Sequence, residues 1–296
     1  MPKVSVIIPT HNRAALLGGA IQSVLDQTFE DFELLVVDDG SEDHPEQVVR
    51  SFSDPRVRFI RHPVARGGGV ARNTGIQNTH GPFVAFLDDD DAWYPEKLDL
   101  QVALLEKGAR KLALVYGGYD IEDARVAHLT GTKTPTARGN LRNSLLSSNV
   151  IGGTSLILVR RAALEHIGGF DENLPSFQDH DLYLRLSEHY KFDFVPNPLL
   201  RYHRHEIQIW KNPVALLKGL ELMRKKYGTH KPFRKFLARR YQKLGRQLCL
   251  GGDTVEGRSA LRISLALNPR VLRTYAYYAL SISDSLTQAP ANQEKP

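Results

Sequence analysis

Through Glu106 the chain alternates short β-branched runs with longer amphipathic stretches, and this alternation limits the fold more than any other feature. Lys3–Ile8 (KVSVII) is β-branched and stops at Pro9, the pattern of a buried strand. Asn12 is placed to cap a helix from Arg13 to about Gln27, whose apolar stripe is Leu16, Leu17, Ala20, Ile21, Val24 and Leu25. Phe32–Val37 (FELLVV) is the next strand, ended by Asp38-Asp39-Gly40-Ser41. A helix near Pro45–Phe52, a strand over Val57–Ile60 and a helix near Val70–Asn78 follow. A fourth strand over Pro82–Leu87 and a helix opened by Pro95 complete the series. Such alternation predicts an α/β fold with a Rossmann-like, twisted, mostly parallel sheet covered on both faces. Ligands of these sheets bind beyond the carboxyl ends of the strands. The polar clusters Thr10–Arg13, Asp38–Ser41 and Asp88–Asp91 all fall at those ends.

The second half is less regular. Leu112–Tyr119 and Thr154–Val159 read as strands, Thr130–Asn143 as a polar loop, and Asp179–His189 as a helix. Phe192–Val195 and Leu199–His203 read as two short strands. After Pro213 the texture changes to amphipathic helices over Val214–Tyr227, Phe233–Leu250, Thr254–Leu267 and Val271–Ser285. Tyr241, Leu244, Gly245 and Pro269 occupy the places of one degenerate tetratricopeptide repeat.

Charge divides at the same place. Residues 1–210 hold 22 Lys+Arg against 28 Asp+Glu, and residues 211–296 hold 17 against 5, so the formal net charge of +6 conceals an acidic body and a basic tail. The tail reads either as solvated helix faces or as a surface for an anionic partner. Cys249 is the only cysteine, which excludes an intrachain disulfide and suits a reducing compartment. The leading apolar run, Val4–Ile8, is too short for a signal peptide core, and no stretch approaches the ~18–20 apolar residues of a membrane span. The expected location is cytoplasmic.

Asp88-Asp89-Asp90-Asp91 carries the most chemistry. Four successive carboxylates after a buried strand repel one another unless positive charge lies among them. A hard divalent cation, Mg²⁺ or Mn²⁺, bridging to substrate phosphates is the natural partner, and the other reading is a solvated acidic turn or a helix N-cap. Gln178-Asp179-His180-Asp181 places carboxylates at a helix start, which serves either as a cap or as a general base. Arg66-Gly67-Gly68-Gly69-Val70-Ala71-Arg72 is either a phosphate-approaching loop or a surface glycine loop. It lacks the dinucleotide fingerprint, because Arg72 stands at the third glycine position.

Together the motifs resemble glycosyltransferase family 2. The resemblance runs through Val4–Arg13 (VSVIIPTHNR), Val36–Ser41 (VVDDGS), Ala71–Gly75 (ARNTG) and Phe86–Pro95 (FLDDDDAWYP). It continues with Gly152–Ser155 (GGTS), Gly168–Asp171 (GGFD) and Gln178–Arg185 (QDHDLYLR), in order, over about residues 2–210. It implies a GT-A nucleotide-diphospho-sugar transferase fold, with a nucleotide-sugar half over about residues 1–115 and an acceptor half over about 116–210. A basic α-helical extension over residues 211–296 lies outside it. It further implies inverting transfer from a nucleotide sugar, typically a UDP-sugar, with a divalent metal.

By the same resemblance, Pro9, Thr10, His11 and Arg13 line the donor pocket, Asp39 accepts a hydrogen bond from the base, and Arg72 sits by base and ribose. Asp88 and Asp89 lie by the ribose and diphosphate, Asp90 binds the metal, and Gly153 forms a backbone shelf near the donor sugar. Asp179 matches the catalytic base. His205 matches a histidine that contacts metal or diphosphate, with His203 as its rival. Gln178 stands where the family more often has Glu. The partners implied are a nucleotide-sugar donor and a glycan or lipid-linked acceptor. The basic tail reads either as packing against the body or, more sharply, as a contact with the inner face of an anionic membrane, and not as a nucleic-acid surface.

Three other functions fit less well. A nucleotidyltransferase needs a glycine-rich basic loop after the first strand, where Pro9-Thr10-His11-Asn12 stands. A processive synthase carries membrane spans and a Gln-x-x-Arg-Trp motif, and Trp93 and Trp210 are the only tryptophans. A non-catalytic nucleotide-sugar binder or scaffold, acting through its helical tail, would tolerate loss of Asp90 or Asp179, and both are present.

Overall fold

The computed structural model describes residues 1–123, 128–204 and 212–287. Its contacts separate into two compact units, Met1–Leu145 with Asn149–Ile207, and Leu146–Ser148 with Gln208–Pro296. In the first unit the strands are β1 (Val4–Thr10), β2 (Phe32–Asp38), β3 (Val57–Arg61), β4 (Phe83–Phe86), β5 (Ala92–Trp93), β6 (Leu112–Asp123), β7 (His128–Lys133), β8 (Ile157–Arg160) and β9 (Lys191–Arg204). Between them lie α1 (Ala14–Leu25), α2 (Pro45–Ser51), α3 (Gly68–Gln77), α4 (Lys97–Lys107), α5 (Arg142–Ser147), α6 (Arg161–His166) and α7 (Gln178–Leu186).

All nine strands join one sheet in the order β3–β2–β1–β4–β8–β6–β9–β5, with β7 on β6. The expected parallel part comprises β3, β2, β1 and β4, each crossover passing through a helix as parallel pairing requires. The second half makes the sheet mixed: β8 runs antiparallel to β4 and β6, while β6 and β9 are parallel. Val4, Val6–Ile8, Leu34–Val37 and Val84–Leu87 are fully buried, so the central strands are covered on both faces. Helix α3 comes so close to β1 that a Cβ on Gly75 would collide with the Ile7 side chain. Because strand order reverses between β1 and β4, a crevice opens at their carboxyl ends. Thr10 and the Asp88–Asp91 run flank it.

Several local expectations change. Asn12 does not cap α1: its backbone is left-handed (φ 54°), and its Oδ1 accepts from the Glu42 N–H instead. The Ala14 N–H is satisfied by Asp43 Oδ2 at 2.7 Å, a partner brought in by the loop after β2. The polar stretch from Thr130 begins as strand β7, hairpin-paired to β6, where cross-strand bonding overrides a composition that reads as loop. The segment at Thr154 opens with a 3-10 turn, Thr154–Leu156, before β8. The two short strands near residues 192 and 203 form one strand, β9, whose register against β6 shifts around Gly117 and Gly118, so Pro196 and Pro198 do not end it.

The second unit contains α8 (Pro213–Tyr227), α9 (Lys231–Leu250), α10 (Thr254–Leu267) and α11 (Leu272–Thr287). Asn212 caps α8 by accepting from the Val214 and Ala215 N–H groups, both at 3.1 Å. Helices α9 and α10 form a hairpin with close backbones, since a Cβ on Gly245 would lie 2.8 Å from the Gly257 carbonyl oxygen. Tyr241, Leu244 and Gly245, three of the repeat-like positions, are buried on α9. Among the described residues no helix is long and apolar enough to cross a membrane.

Candidate active site

Strand β4 ends at Phe86, Leu87 N still donates to Ile7 O, and the chain then leaves the sheet as the acidic run. The turn closes through Asp91 N–H to Asp88 O at 3.1 Å. Ser155 binds it from the 3-10 turn before β8, accepting from the Asp88 N–H at 3.1 Å and donating to Asp91 Oδ2 at 2.7 Å. Ligand oxygens of Asp88, Asp90 and Asp91 lie within 4.8 Å of one another. Burial pushes the Asp91 carboxyl well above the usual carboxylate range, and Asp88 and Asp90 push it further. Its Oδ1 is buried without a hydrogen-bond donor. An all-oxygen donor set with one orphaned buried oxygen fits a hard divalent cation.

Asp89 points elsewhere. Thr10 Oγ1 donates to its Oδ2 at 2.8 Å and Arg13 Nη1 to its Oδ1 at 3.0 Å, while Arg13 also reaches Asp90 Oδ2 at 2.9 Å. Burial raises the Asp89 carboxyl to about 6 against the opposing pull of Arg13 and Thr10. Both Asp89 oxygens are thus taken within the protein. It sits beside Thr10 and Arg13 because β1 and β4 are neighbours.

The loops that follow β2 and β3 converge on Asp39. His62 Nδ1 donates to its Oδ1 at 2.8 Å, as does the Arg66 N–H at 2.9 Å, and the Gly67 N–H donates to Oδ2 at 2.6 Å. Burial alone would raise this carboxyl, but the three donors outweigh it and hold it below the usual range. His11 Nδ1 donates to the Asp39 carbonyl at 2.8 Å, and Pro9 and Thr10 pair with Val37 and Asp38 in the β1–β2 register.

Arg72, on α3, ties this half to the rest. Its Nη2 lies 2.5 Å from Asp88 Oδ1, and its Nη1 donates to Gln178 Oε1 at 3.0 Å and to Gly68 O at 3.2 Å. Gln178 is anchored in turn by Nε2 to Leu174 O at 2.7 Å. The next residue, Asp179 in the first turn of α7, accepts from Asn149 Nδ2 at 2.9 Å. Asn149 Oδ1 also accepts from the Gly152 N–H at 3.0 Å, and the Gly153 carbonyl accepts from the buried Tyr183 hydroxyl at 3.2 Å. Asp88, Asp90, Asp91, Arg72, Gly153 and Asp179 therefore belong to one connected set.

Of the two histidines, His203 is beside the acidic run. Its Nδ1 donates to the Asp90 carbonyl at 2.8 Å, and its Nε2 is 3.3 Å from Glu122 Oε2. His205 lies outside the described residues. The sequence reading missed His62, Asn149 and the support given by Ser155. Ser155 stood inside the Gly152–Ser155 motif and was within reach of prediction, whereas His62 and Asn149 carry no local signal.

Residues 5–168 match glycosyl transferase family 2. An uncharacterized glycosyltransferase of Rickettsia felis is 36% identical over 213 residues, 70% of this chain and 35% of that protein. In Escherichia coli, the UDP-Glc:alpha-D-GlcNAc-diphosphoundecaprenol beta-1,3-glucosyltransferase WfgD is 40% identical over 118 residues, 40% of this chain and 46% of that protein. The chain spans about a third or less of the length of the first curated relatives it matches. S. aureus TarS 1–349, in complex with UDP, superposes with a TM-score of 0.63 at 16% identity, over 99% of this chain and 94% of that one. That likeness makes the mixed sheet and its helices a GT-A fold. The motif order, the crevice at the β1–β4 switch and a match over more than half of the chain agree: the chain belongs to glycosyl transferase family 2.

Proposed function

We propose that the protein transfers a sugar from a nucleotide-diphosphate donor, a UDP-sugar by preference, to an acceptor hydroxyl with inversion, in glycan or polysaccharide biosynthesis. One observation carries this reading: the acidic triad Asp88, Asp90 and Asp91 is linked through Arg72 and Gln178 to the helix that holds Asp179. The names of WfgD and of the TarS complex support a UDP donor and a lipid-linked acceptor.

Pro9, Thr10 and His11 border the nucleotide pocket. Asp39 has three donors already, leaving one of a carboxylate's roughly four lone-pair sites for the N–H of a base. Asp90, with Asp88 and Asp91, would hold Mg²⁺ or Mn²⁺, which when bound would offset the charge developing on the leaving diphosphate. Asp89 fixes Arg13 beside Asp90. Asp179, oriented by Asn149, takes the acceptor hydroxyl proton as the acceptor oxygen bonds to sugar C1. The C1–diphosphate bond breaks on the opposite side, and the electron pair leaves with the diphosphate. The basic extension, residues 211–296, holds the enzyme at an anionic membrane surface.

UDP-, GDP- and dTDP-sugars screened with Mn²⁺ are expected to raise thermal stability for one nucleotide class, since a bound donor stabilises by mass action. Asp179→Asn abolishes transfer with donor binding near wild type, and Asp90→Ala loses metal-dependent donor binding in calorimetry. Normal turnover in Asp179→Asn, or no response to any nucleotide sugar, would sink the reading.

A further inference from the structure

Three protein donors decide what Asp39 has left to offer a base. His62 Nδ1 and the Arg66 N–H both end on Oδ1, at 2.8 and 2.9 Å, while the Gly67 N–H ends on Oδ2 at 2.6 Å. Each oxygen of an ionised carboxylate has about two lone-pair sites, so Oδ1 is filled and Oδ2 keeps one open. Two of the donors are backbone groups, and His62 is the one that a side chain supplies.

The fold delivers the His62 ring to that oxygen. Strands β2 and β3 pair as far as Asp38 and Arg61, and the His62 N–H then donates to Asp38 O at 2.8 Å. Asp39 and His62 are therefore the first residues past the end of the ladder. A carboxylate only accepts, so Nδ1 carries the ring proton. Nε2 lies 3.0 Å from Thr74 Oγ1 on α3, and in the neutral ring it accepts from that hydroxyl. The ring is buried and held at both nitrogens, which fixes its direction towards Asp39. Gly40 lets the neighbouring loop come equally close. Its backbone is left-handed (φ 75°), and a Cβ there would lie 2.7 Å from Val64 C and from Ala65 N. The loop that passes Gly40 goes on to present the Arg66 and Gly67 N–H groups.

Bases differ in how many donors they bring to one open lone pair. Uracil and thymine present a single N–H on the pairing edge, at N3, between two carbonyls. Guanine presents two side by side, N1–H and the 2-amino group, which match the two oxygens of one carboxylate. With Oδ1 filled, one of the guanine donors would face an occupied acceptor, and a polar group left unpaired in a closed site weighs against the ligand that carries it.

We infer that His62, acting through Asp39, is a specificity-determining residue for the nucleotide: it occupies the lone pair that guanine would need and restricts the pocket to bases with one donor on that edge. This role rests on the nucleotide-sugar reading above and names the residue that sets its base preference. Calorimetry with Mn²⁺ on the wild type, His62→Ala and His62→Asn would compare UDP, GDP and IDP. IDP keeps N1–H and lacks the 2-amino group, so GDP against IDP counts open acceptors at constant purine size. The wild type is expected to bind UDP most tightly and GDP no better than IDP. In His62→Ala the preference for UDP over GDP should fall about tenfold and GDP should overtake IDP, the effect of one hydrogen bond to a charged group. His62→Asn sets an amide N–H near the place of Nδ1 and should restore the wild-type order, which lost packing would not explain. One common factor for all three nucleotides in His62→Ala, or alanine-like behaviour in His62→Asn, overturns the inference. So does a wild type that binds GDP more tightly than IDP, a comparison that stands even if His62→Ala does not fold. If the folded wild type binds no nucleotide, the nucleotide-sugar reading itself fails; if it binds them and the ratios do not move, only the role of His62 fails.

Discussion

Arg72 donates to Asp88 at one end and to Gln178 at the other, and its guanidinium lies 5.6 Å from the centre of the Phe170 ring. The amide at 178 orients Arg72 without neutralising it, so its charge stays available to Asp88. A glutamate there would share that charge. Gln178→Leu removes a hydrogen bond to a charged group and is expected to lower kcat/KM roughly tenfold, near the lower end of the cost of such bonds. Arg72→Lys should lose more, and combining it with Gln178→Leu should add little. A double-mutant cycle reads the coupling, and simple additivity would show that the two side chains act separately.

Helix α4 anchors the acidic run from below through an unusual residue. Lys97 is fully buried, its Nζ donates to Gln101 Oε1 at 2.7 Å, and it stands 3.9 Å from the centre of the Trp93 ring. Trp93 Nε1 donates to Ser155 O at 2.8 Å, and Gln101 Nε2 donates to Leu156 O at 2.8 Å. The helix is thus fastened to the same segment that holds Asp91. Burial keeps the Lys97 ammonium well below its ordinary pKa. The unfolded chain then binds this proton more readily than the folded one, so stability rises with pH towards the ordinary lysine value, by at most about 1.4 kcal/mol per pH unit. Lys97→Met should flatten that rise on the alkaline side, as pH approaches the ordinary lysine value, as read from urea midpoints. Parallel slopes for the two proteins would mean that Lys97 titrates as an exposed lysine does.

At the scale of the whole molecule, charge and fold divide together. The acidic carboxylates gather at the β1–β4 crevice, whereas residues 211–296 carry 17 Lys+Arg against 5 Asp+Glu on amphipathic helices. Sedimentation with anionic vesicles is expected at low salt and to weaken at high salt, because screening shortens the reach of surface charge. Absence of binding at low salt removes the membrane role. Much of this architecture was legible from residue order alone. Period and punctuation marked the βα units, and the Asp88–Asp91 run stood out because adjacent carboxylates repel one another unless positive charge lies among them, part of which Arg13 and Arg72 supply. The asymmetry of charge is likewise a property of the chain. Tertiary structure decided which carboxylate does what. Asp89 turns to Thr10, 79 positions away, Arg72 finds Gln178 across 106 positions, and Asn149 reaches Asp179 across 30. Such partners depend on strand order and on where a loop returns to the sheet, and no local pattern of residues encodes a distance of that kind.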